Sequence, residues 1–272
     1  NFVGWKFIKK SLKKNNTNFV PLDSEHFSIW SLIKSENIDN IKKIYLTASG
    51  GPFLNKKLDD IKNIKPKFAL RHPNWKMGKK ISIDSATMMN KIFEVIEAKK
   101  IFNIKSNKLD IIIHPKSYIH AVVHFKNGLT KFLAHDTTME IPILNSLYKK
   151  NEKFIFNNKD FNYMKFNGTN FLKPDPKIFP LLKILDYNFN GTYFDIILVC
   201  LNDILVNLYL KNSINYISIH KLLIKLLKKA YFSRYYDKSP KNINEIENMV
   251  NKVKKYLYKY LKLNEKFYKN NN

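Results

Sequence analysis

Apolar and polar positions along this chain follow two regimes, a mixed one up to about residue 173 and a purely helical one from Pro174 onward. Phe2–Asn15 has helical spacing and ends in a Lys-Lys-Asn-Asn cluster. Phe19–Leu22 is a short apolar run into Asp23 and reads as a strand feeding a loop. His26–Ser35 reads as a helix behind that loop. Lys43–Thr47 reads as the next strand, broken at Ser49-Gly50-Gly51-Pro52. Leu70–Lys79 carries Pro73, Asn74 and Gly78 and reads as a mobile loop. Lys80–Ile83 leads into one long helix from Ser85 to Phe102, with Ala86, Met89, Phe93, Ile96 and Ile101 on its apolar face. Leu109–Ile113 and Ala121–Phe125 read as strands flanking His114–His120, and Gly128 marks a turn before Thr130–His135.

Asn151–Asn170 is polar, aromatic and Asn-rich without a period, and reads as a linker. The later pattern predicts helices at Phe179–Tyr187, Tyr193–Leu210, Ile217–Ala230 and Ile243–Tyr268. The expected fold class is therefore α/β: a catalytic domain at 1–150 with a sheet flanked by helices, a linker at 151–173, and a small all-α domain at 174–272. No internal repeat is visible.

Composition narrows the class. With 272 residues and 44% hydrophobic content the chain can bury a substantial core, and 14% aromatic residues argue against disorder. One cysteine, Cys200, excludes an internal disulfide and fits a reducing compartment. The best membrane candidate, Ile196–Leu210, is interrupted by Asn202, Asp203 and Asn207 and reads as a buried helix. No signal peptide is visible. The net charge of +26, from 48 basic and 22 acidic residues, would attract any polyanion. The basic residues are almost all Lys, mixed with Asn, Ile, Phe and Tyr, so they read as biased composition in preference to a nucleic-acid surface. The chain opens at Asn1, not Met, which suggests a fragment, a processed product or an incomplete gene product.

Chemistry concentrates in three segments. Asp23 and Glu25 stand two apart, so in an extended segment both carboxylates would share one face. Glu94 adds a third. Three carboxylates with no Cys nearby suit Mg²⁺ or Mn²⁺, although a bare D-x-E is more often a solvated surface pair. Ser49-Gly50-Gly51-Pro52 follows a predicted strand, where glycines allow the backbone and a hydroxyl to approach a phosphate. Alone, such a Gly-Gly is more often only a turn. Ser85, Asn90, Lys91 and Glu94 share the start of the long predicted helix, with Ser85 at its N-cap, a position that favours an anion. His72-Pro73-Asn74-Trp75 puts an imidazole within reach of a phosphate, with Trp75 either a lid or a simple anchor. His114 and His120 read as structural.

These segments resemble 1-deoxy-D-xylulose-5-phosphate reductoisomerases. The resemblance rests on P-L-D-S-E-H (21–26), L-T-A-S-G-G-P-F (46–53) and R-H-P-N-W-K-M-G-K-K-I-S-I-D-S-A-T-M-M-N-K (71–91), extended by E-V-I-E-A (94–98) and H-P-K-S-Y-I-H (114–120). It is strong over Pro21–Val123 and weakens afterwards. It implies a reaction that isomerises 1-deoxy-D-xylulose 5-phosphate and reduces the product with NADPH to 2-C-methyl-D-erythritol 4-phosphate, in non-mevalonate isoprenoid synthesis. Asp23, Glu25 and Glu94 would hold Mn²⁺ or Mg²⁺, and Ser24, Glu25, Ser49, His72, Ser85, Asn90, Lys91 and Glu94 would bind the sugar phosphate. Glu25, Glu94 and His72 would be catalytic, Trp75 and Met77 would form the lid, and Gly78 would approach NADPH. A homodimer in a bacterial, endosymbiont or plastid-type compartment is implied, with no membrane or nucleic-acid partner.

The departures matter too. The family opens with a Gly-rich Rossmann-type NADPH domain, and no such fingerprint stands in these residues, so the chain alone is expected to bind NADPH weakly unless a separate chain supplies that domain. Ile92 stands where Gly is common. Thr137–Pro142 has largely lost the family's Pro-Asp-Met-Arg pattern, and Val199–Asp203 only faintly echoes Asn-Ala-Ala-Asn-Glu. The competing readings are a non-catalytic remnant that binds polyanions, and a metal and sugar-phosphate module without redox function.

Overall fold

The structure, a computed structural model, describes residues 2–148, 162–187 and 192–262. Four segments, the first three rich in β-branched residues, form one mixed sheet: β1 (Ile41–Ala48), β2 (Leu109–Ile113), β3 (Ile119–Phe125) and β4 (Thr130–Ala134), in the order β2-β1-β3-β4. β2 runs parallel to β1, with Leu46 opposite Ile111, and β3 and β4 follow antiparallel. A parallel neighbour requires a crossover, and the chain between β1 and β2 provides it. That crossover contains the four-residue helices α3 (Leu58–Ile61) and α4 (Pro66–Ala69), then α5 (Lys79–Ala86) and α6 (Met89–Ile101). β1 and β2 therefore end on the same side, where open α/β sheets place their ligands.

α1 (Trp5–Lys14) precedes the sheet and is tied to α6 by Trp5 Nε1, which donates to the Lys100 carbonyl at 3.0 Å. α2 (Ser24–Ile33) lies across β3 and β4, and α6 lies across β1 and β2. After α7 (Glu140–Leu147) the described chain resumes in a 3₁₀ turn at Tyr163–Phe166. The predicted linker thus has structure in its described half: Leu172 exchanges two backbone hydrogen bonds with Ile113, at 2.8 and 2.9 Å, at the end of β2. Residues 151–161 of that linker lie outside the described residues.

The helical region consists of α8 (Thr192–Leu210), α9 (Tyr216–Leu227), α10 (Ala230–Ser233) and α11 (Ile243–Tyr260), preceded by a 3₁₀ helix at Pro180–Asp186. α8 is the central element, packed on α5, α9 and α11. By length and composition α8 is the one described helix that could cross a membrane, but most of it is buried in this core. The same core runs without a break into Phe53, Ile83, Met89 and Ile92, so the helical region shares its interior with the crossover helices. The end predicted for the last helix, beyond residue 262, lies outside the described residues.

Three expectations are corrected here. Phe19–Leu22 is not a strand; it joins no ladder among the described residues and leads straight into the N-cap of α2. Ser85–Phe102 is not one helix. It breaks at Thr87 and Met88, and Met88 adopts φ +66°. A side chain in that region is strained, and packing explains why it is held there. Met88 joins the sheet-side core while Met89 joins the helical core, so neighbouring side chains leave in different directions. Thr87 Oγ1 closes the end of α5 by donating to the Ile83 and Asp84 carbonyls, at 3.1 and 3.2 Å. Finally, Phe179–Tyr187 is 3₁₀, not α, beginning with Pro180.

Candidate metal and anion site

Asp23 caps α2: its Oδ1 accepts from the backbone N–H groups of Glu25 and His26, both at 3.1 Å. Glu25 sits in the first turn, where the helix dipole favours an acid. Asp23 and Glu25 thus converge through a capped helical turn, not through strand alternation. Glu94 comes from the second turn of α6 and is 4% exposed. One carboxylate oxygen from each of the three lies within 4.8 Å of the others. An all-oxygen set of three carboxylates fits a hard divalent cation.

The glutamates are held in place. Ser24 Oγ donates to Glu25 Oε2 at 2.5 Å, and Asn90 Nδ2 donates to Glu94 Oε1 at 2.5 Å across one helical turn. Lys91 Nζ donates to Glu25 Oε1 and lies 2.5 Å from Glu94 Oε2. The second contact is an ion pair within one turn of α6.

Electrostatics follow from this crowding. Burial pushes the Glu94 carboxyl well above the usual range, the Glu25 charge adds to it, and Lys91 opposes. Burial works against the Lys91 charge, but Glu25 and Glu94 overcome it and raise its pKa. His26 is 1% exposed; its Nδ1 lies 3.1 Å from Asp23 Oδ1 and its Nε2 lies 2.9 Å from the Glu94 carbonyl. Both nitrogens face acceptors, which selects the imidazolium. Burial disfavours that charge, yet the hydrogen bond and charge of Asp23 raise its pKa to about 9. Asp23 itself is 44% exposed at the side chain. The protein around its carboxyl favours the neutral form, but His26 and then Lys91 draw its pKa well below the usual range.

The anion half adjoins. Gly50 and Gly51 both take positive φ, +84° and +65°, and turn the chain sharply after β1. His72 Nδ1 accepts from the backbone N–H groups of Asn74 and Trp75, at 3.2 and 2.9 Å. Its proton therefore sits on Nε2, 2.9 Å from Ser49 Oγ. Burial, with the Lys91 charge second, lowers the His72 pKa to about 4 and keeps the ring neutral. Ser49 Oγ also accepts from Gly51 N at 3.0 Å. With two donors already aimed at its oxygen, the hydroxyl is left to donate outward.

A cavity of about 180 Å³ joins the two halves, lined by Asp23, Ser24, Glu25, Ser49, His72, Trp75, Met77, Ser85, Asn90, Lys91 and Glu94 among others. Residues 19–102 match the family model described as 1-deoxy-D-xylulose 5-phosphate reductoisomerase C-terminal domain, and 135–256 match DXP reductoisomerase C-terminal domain. A 1-deoxy-D-xylulose 5-phosphate reductoisomerase of Pelagibacter ubique is 52% identical over 90% of this chain and 63% of its own length. One of Sulfurihydrogenibium is 41% identical over 82% of this chain and 60% of its own. A DOX-P reductoisomerase crystallised with NADPH, fosmidomycin and magnesium superposes with a TM-score of 0.87 and 31% identity, over 96% of this chain and 68% of that one. The Zymomonas mobilis enzyme with NADPH gives a TM-score of 0.80 and 28% identity, over 93% and 64%.

The chain belongs to the 1-deoxy-D-xylulose 5-phosphate reductoisomerase family. It spans less than two thirds of the length of the Pelagibacter and Sulfurihydrogenibium relatives. Its mixed sheet followed by a helical region is the family's fold.

Within that family frame the sequence expectations fare unevenly. Gly78 does not line the cavity; it precedes α5 as its N-cap, with open space on its Cβ side. Ser85 is not a helix N-cap, because α5 starts at Lys79; the helix start near the cavity is that of α6, at Met89. The loop expected to be mobile is pinned at Asn74, whose Nδ2 donates to the Pro115 carbonyl and Ser117 Oγ, both at 2.7 Å. His120 also lines the cavity, stacked on His135 at 3.7 Å and edge-on to Trp75 at 6.1 Å. Burial drops its pKa to about 4. By sequence His120 reads as structural, and only its repeat with His114 in the H-P-K-S-Y-I-H run hints otherwise. Ser117 and Met139 reach the cavity as well, the latter from the Thr137–Pro142 segment.

Proposed function

We propose that this chain carries the metal- and substrate-binding part of a 1-deoxy-D-xylulose 5-phosphate reductoisomerase. The reaction isomerises 1-deoxy-D-xylulose 5-phosphate to a branched aldehyde, which NADPH reduces to 2-C-methyl-D-erythritol 4-phosphate. The observation that carries this reading is the meeting of Asp23, Glu25 and Glu94 within 4.8 Å, in the same cavity as Ser49, Asn90 and Lys91. The magnesium and NADPH named with the solved relatives support the same cofactors here.

A Mg²⁺ or Mn²⁺ ion held by Asp23, Glu25 and Glu94 would polarise the substrate carbonyl and stabilise negative charge developing on its oxygen. Ser24 and Asn90 orient the two glutamates, and His26 orients Asp23. Ser49 donates its hydroxyl to a phosphate oxygen, with neutral His72 fixing the direction of that donation. Ser85, Asn90 and Lys91 complete the grip on the substrate, whose distant phosphate orients the reacting end. Trp75 and Met77 cover the cavity and exclude water, and Gly78 leaves room for the nicotinamide side. A homodimer, a cytoplasmic setting and a division at 1–150, 151–173 and 174–272 belong to this reading, with the main NADPH domain supplied by sequence beyond these residues or by a separate chain.

The test has two parts. Calorimetry should detect Mn²⁺ binding that strengthens fosmidomycin binding. Supplying a relative's nucleotide domain should restore substrate-dependent NADPH oxidation. Metal-independent fosmidomycin binding would overturn the site, and metal and ligand binding without restored oxidation would leave a module without redox function.

A further inference from the structure

Lys91 is buried, 4% exposed, and its ammonium pairs with two carboxylates. Each glutamate has one oxygen on a neutral donor, Ser24 for Glu25 Oε2 and Asn90 for Glu94 Oε1. The other oxygen of each, Glu25 Oε1 and Glu94 Oε2, faces Lys91. Those two oxygens carry no neutral donor, so Lys91 and a divalent ion compete for the same pair of carboxylates. Two like charges cannot share them: at contact distance the repulsion between a divalent ion and a buried ammonium is several kcal/mol even at an effective dielectric constant of about 20. Lys91 also lines the same cavity as Ser49 and His72, which are joined at 2.9 Å.

We propose that Lys91 is an exchange group: a divalent cation displaces its ammonium from Glu25 and Glu94, and the freed ammonium turns to the Ser49–His72 end, where it grips a phosphate. This rests on reading the triad as a divalent-cation site. Cation and phosphate then bind cooperatively through one side chain, and the coupling is reciprocal. Phosphate alone must pull Lys91 from two carboxylates; with the cation in place, that cost is already met.

Two measurements on the full 272-residue chain test this. In the first, lysines are acetylated with and without Mn²⁺ and read by mass spectrometry. Acetylation at Lys91 should rise at least about fivefold with Mn²⁺, while exposed lysines stay level; unchanged reactivity at Lys91 in protein shown by calorimetry to hold Mn²⁺ overturns the exchange. In the second, methylphosphonate affinity is measured with and without Mn²⁺. It should rise at least about fivefold with the metal in the natural chain, the lower end of typical coupling, and less than about twofold in Lys91→Met. Full coupling retained in Lys91→Met overturns the proposal. A natural chain that binds no Mn²⁺ at all overturns the metal reading itself, a distinct failure.

Discussion

His72 Nε2 lies 2.9 Å from Ser49 Oγ, and that one contact joins the loop after β1 to the loop before α5. It leaves the Ser49 hydroxyl with a donor role. Ser49→Ala should therefore weaken methylphosphonate binding about tenfold, roughly 1.4 kcal/mol, and leave Mn²⁺ affinity within about twofold. Equal losses for both ligands in calorimetry would show that the loop, not the hydroxyl, had been damaged.

Glu94→Gln removes one of three anionic donors while keeping the shape. Mn²⁺ affinity should fall at least about tenfold, because an amide oxygen is a weaker ligand for a hard cation. Unchanged calorimetric affinity would remove Glu94 from the metal set.

Gly51→Ala meets two obstacles. The φ of +65° disfavours any side chain, and a new Cβ would lie 3.1 Å from the Ser85 carbonyl and 3.2 Å from Ala86 Cα. Both neighbours are backbone and cannot swing away. Stability should drop by about 1–3 kcal/mol in urea unfolding, with phosphonate binding weakened alongside.

Asn202 on α8 is fully buried and donates to Asp84 Oδ1 at 2.7 Å, while Lys80 Nζ lies 2.8 Å from Asp84 Oδ2. Asp84 is 2% exposed and directly precedes Ser85, and burial raises its pKa although Lys80 opposes. Asn202→Leu should cost about 1–3 kcal/mol, because a buried carboxylate oxygen loses its donor. Combining it with Asp84→Asn should cost less than the sum of the two changes, and strict additivity would show that the residues act separately.

His220 sits in the helical core, 1% exposed, with neither ring nitrogen hydrogen-bonded among the described residues. Burial lowers its pKa from 6.5 to about 4. The unfolded chain thus binds a proton that the native state refuses, so the stability from this site is intact above pH 6.5 and drains as pH falls toward 4. His220→Leu should flatten that window. Its melting temperature should exceed the parent's by several degrees more at about pH 4.5 than at about pH 7.5, and a constant difference would exclude this titration.

Much of the site was readable in the chain because its chemistry is written in short runs. Asp23, Ser24 and Glu25 are adjacent, Asn90, Lys91 and Glu94 fall within one turn or so of a helix, and Ser49 stands beside two glycines after a β-branched strand. Periodicity located β1, β2 and β3 and the helices of the C-terminal region. The errors arose where local pattern and packing disagreed. Residues 85–102 have continuous helical spacing, and nothing in that spacing records that Met88 and Met89 enter different cores. Asp23 and Glu25 fit strand alternation as well as a capped turn, and the absence of a pairing strand decides for the turn.

Side-chain type and short-range spacing need no partner, so the kinds of groups at the site, and their suitability for a hard cation and a phosphate, follow from the order of residues. Where those groups point is a long-range matter. Lys91 meets Glu25 across 66 residues, and Asn202 meets Asp84 across 118. Such contacts depend on how α2, α6 and α8 pack, and packing is settled by the whole interior at once, which no local window of the chain contains.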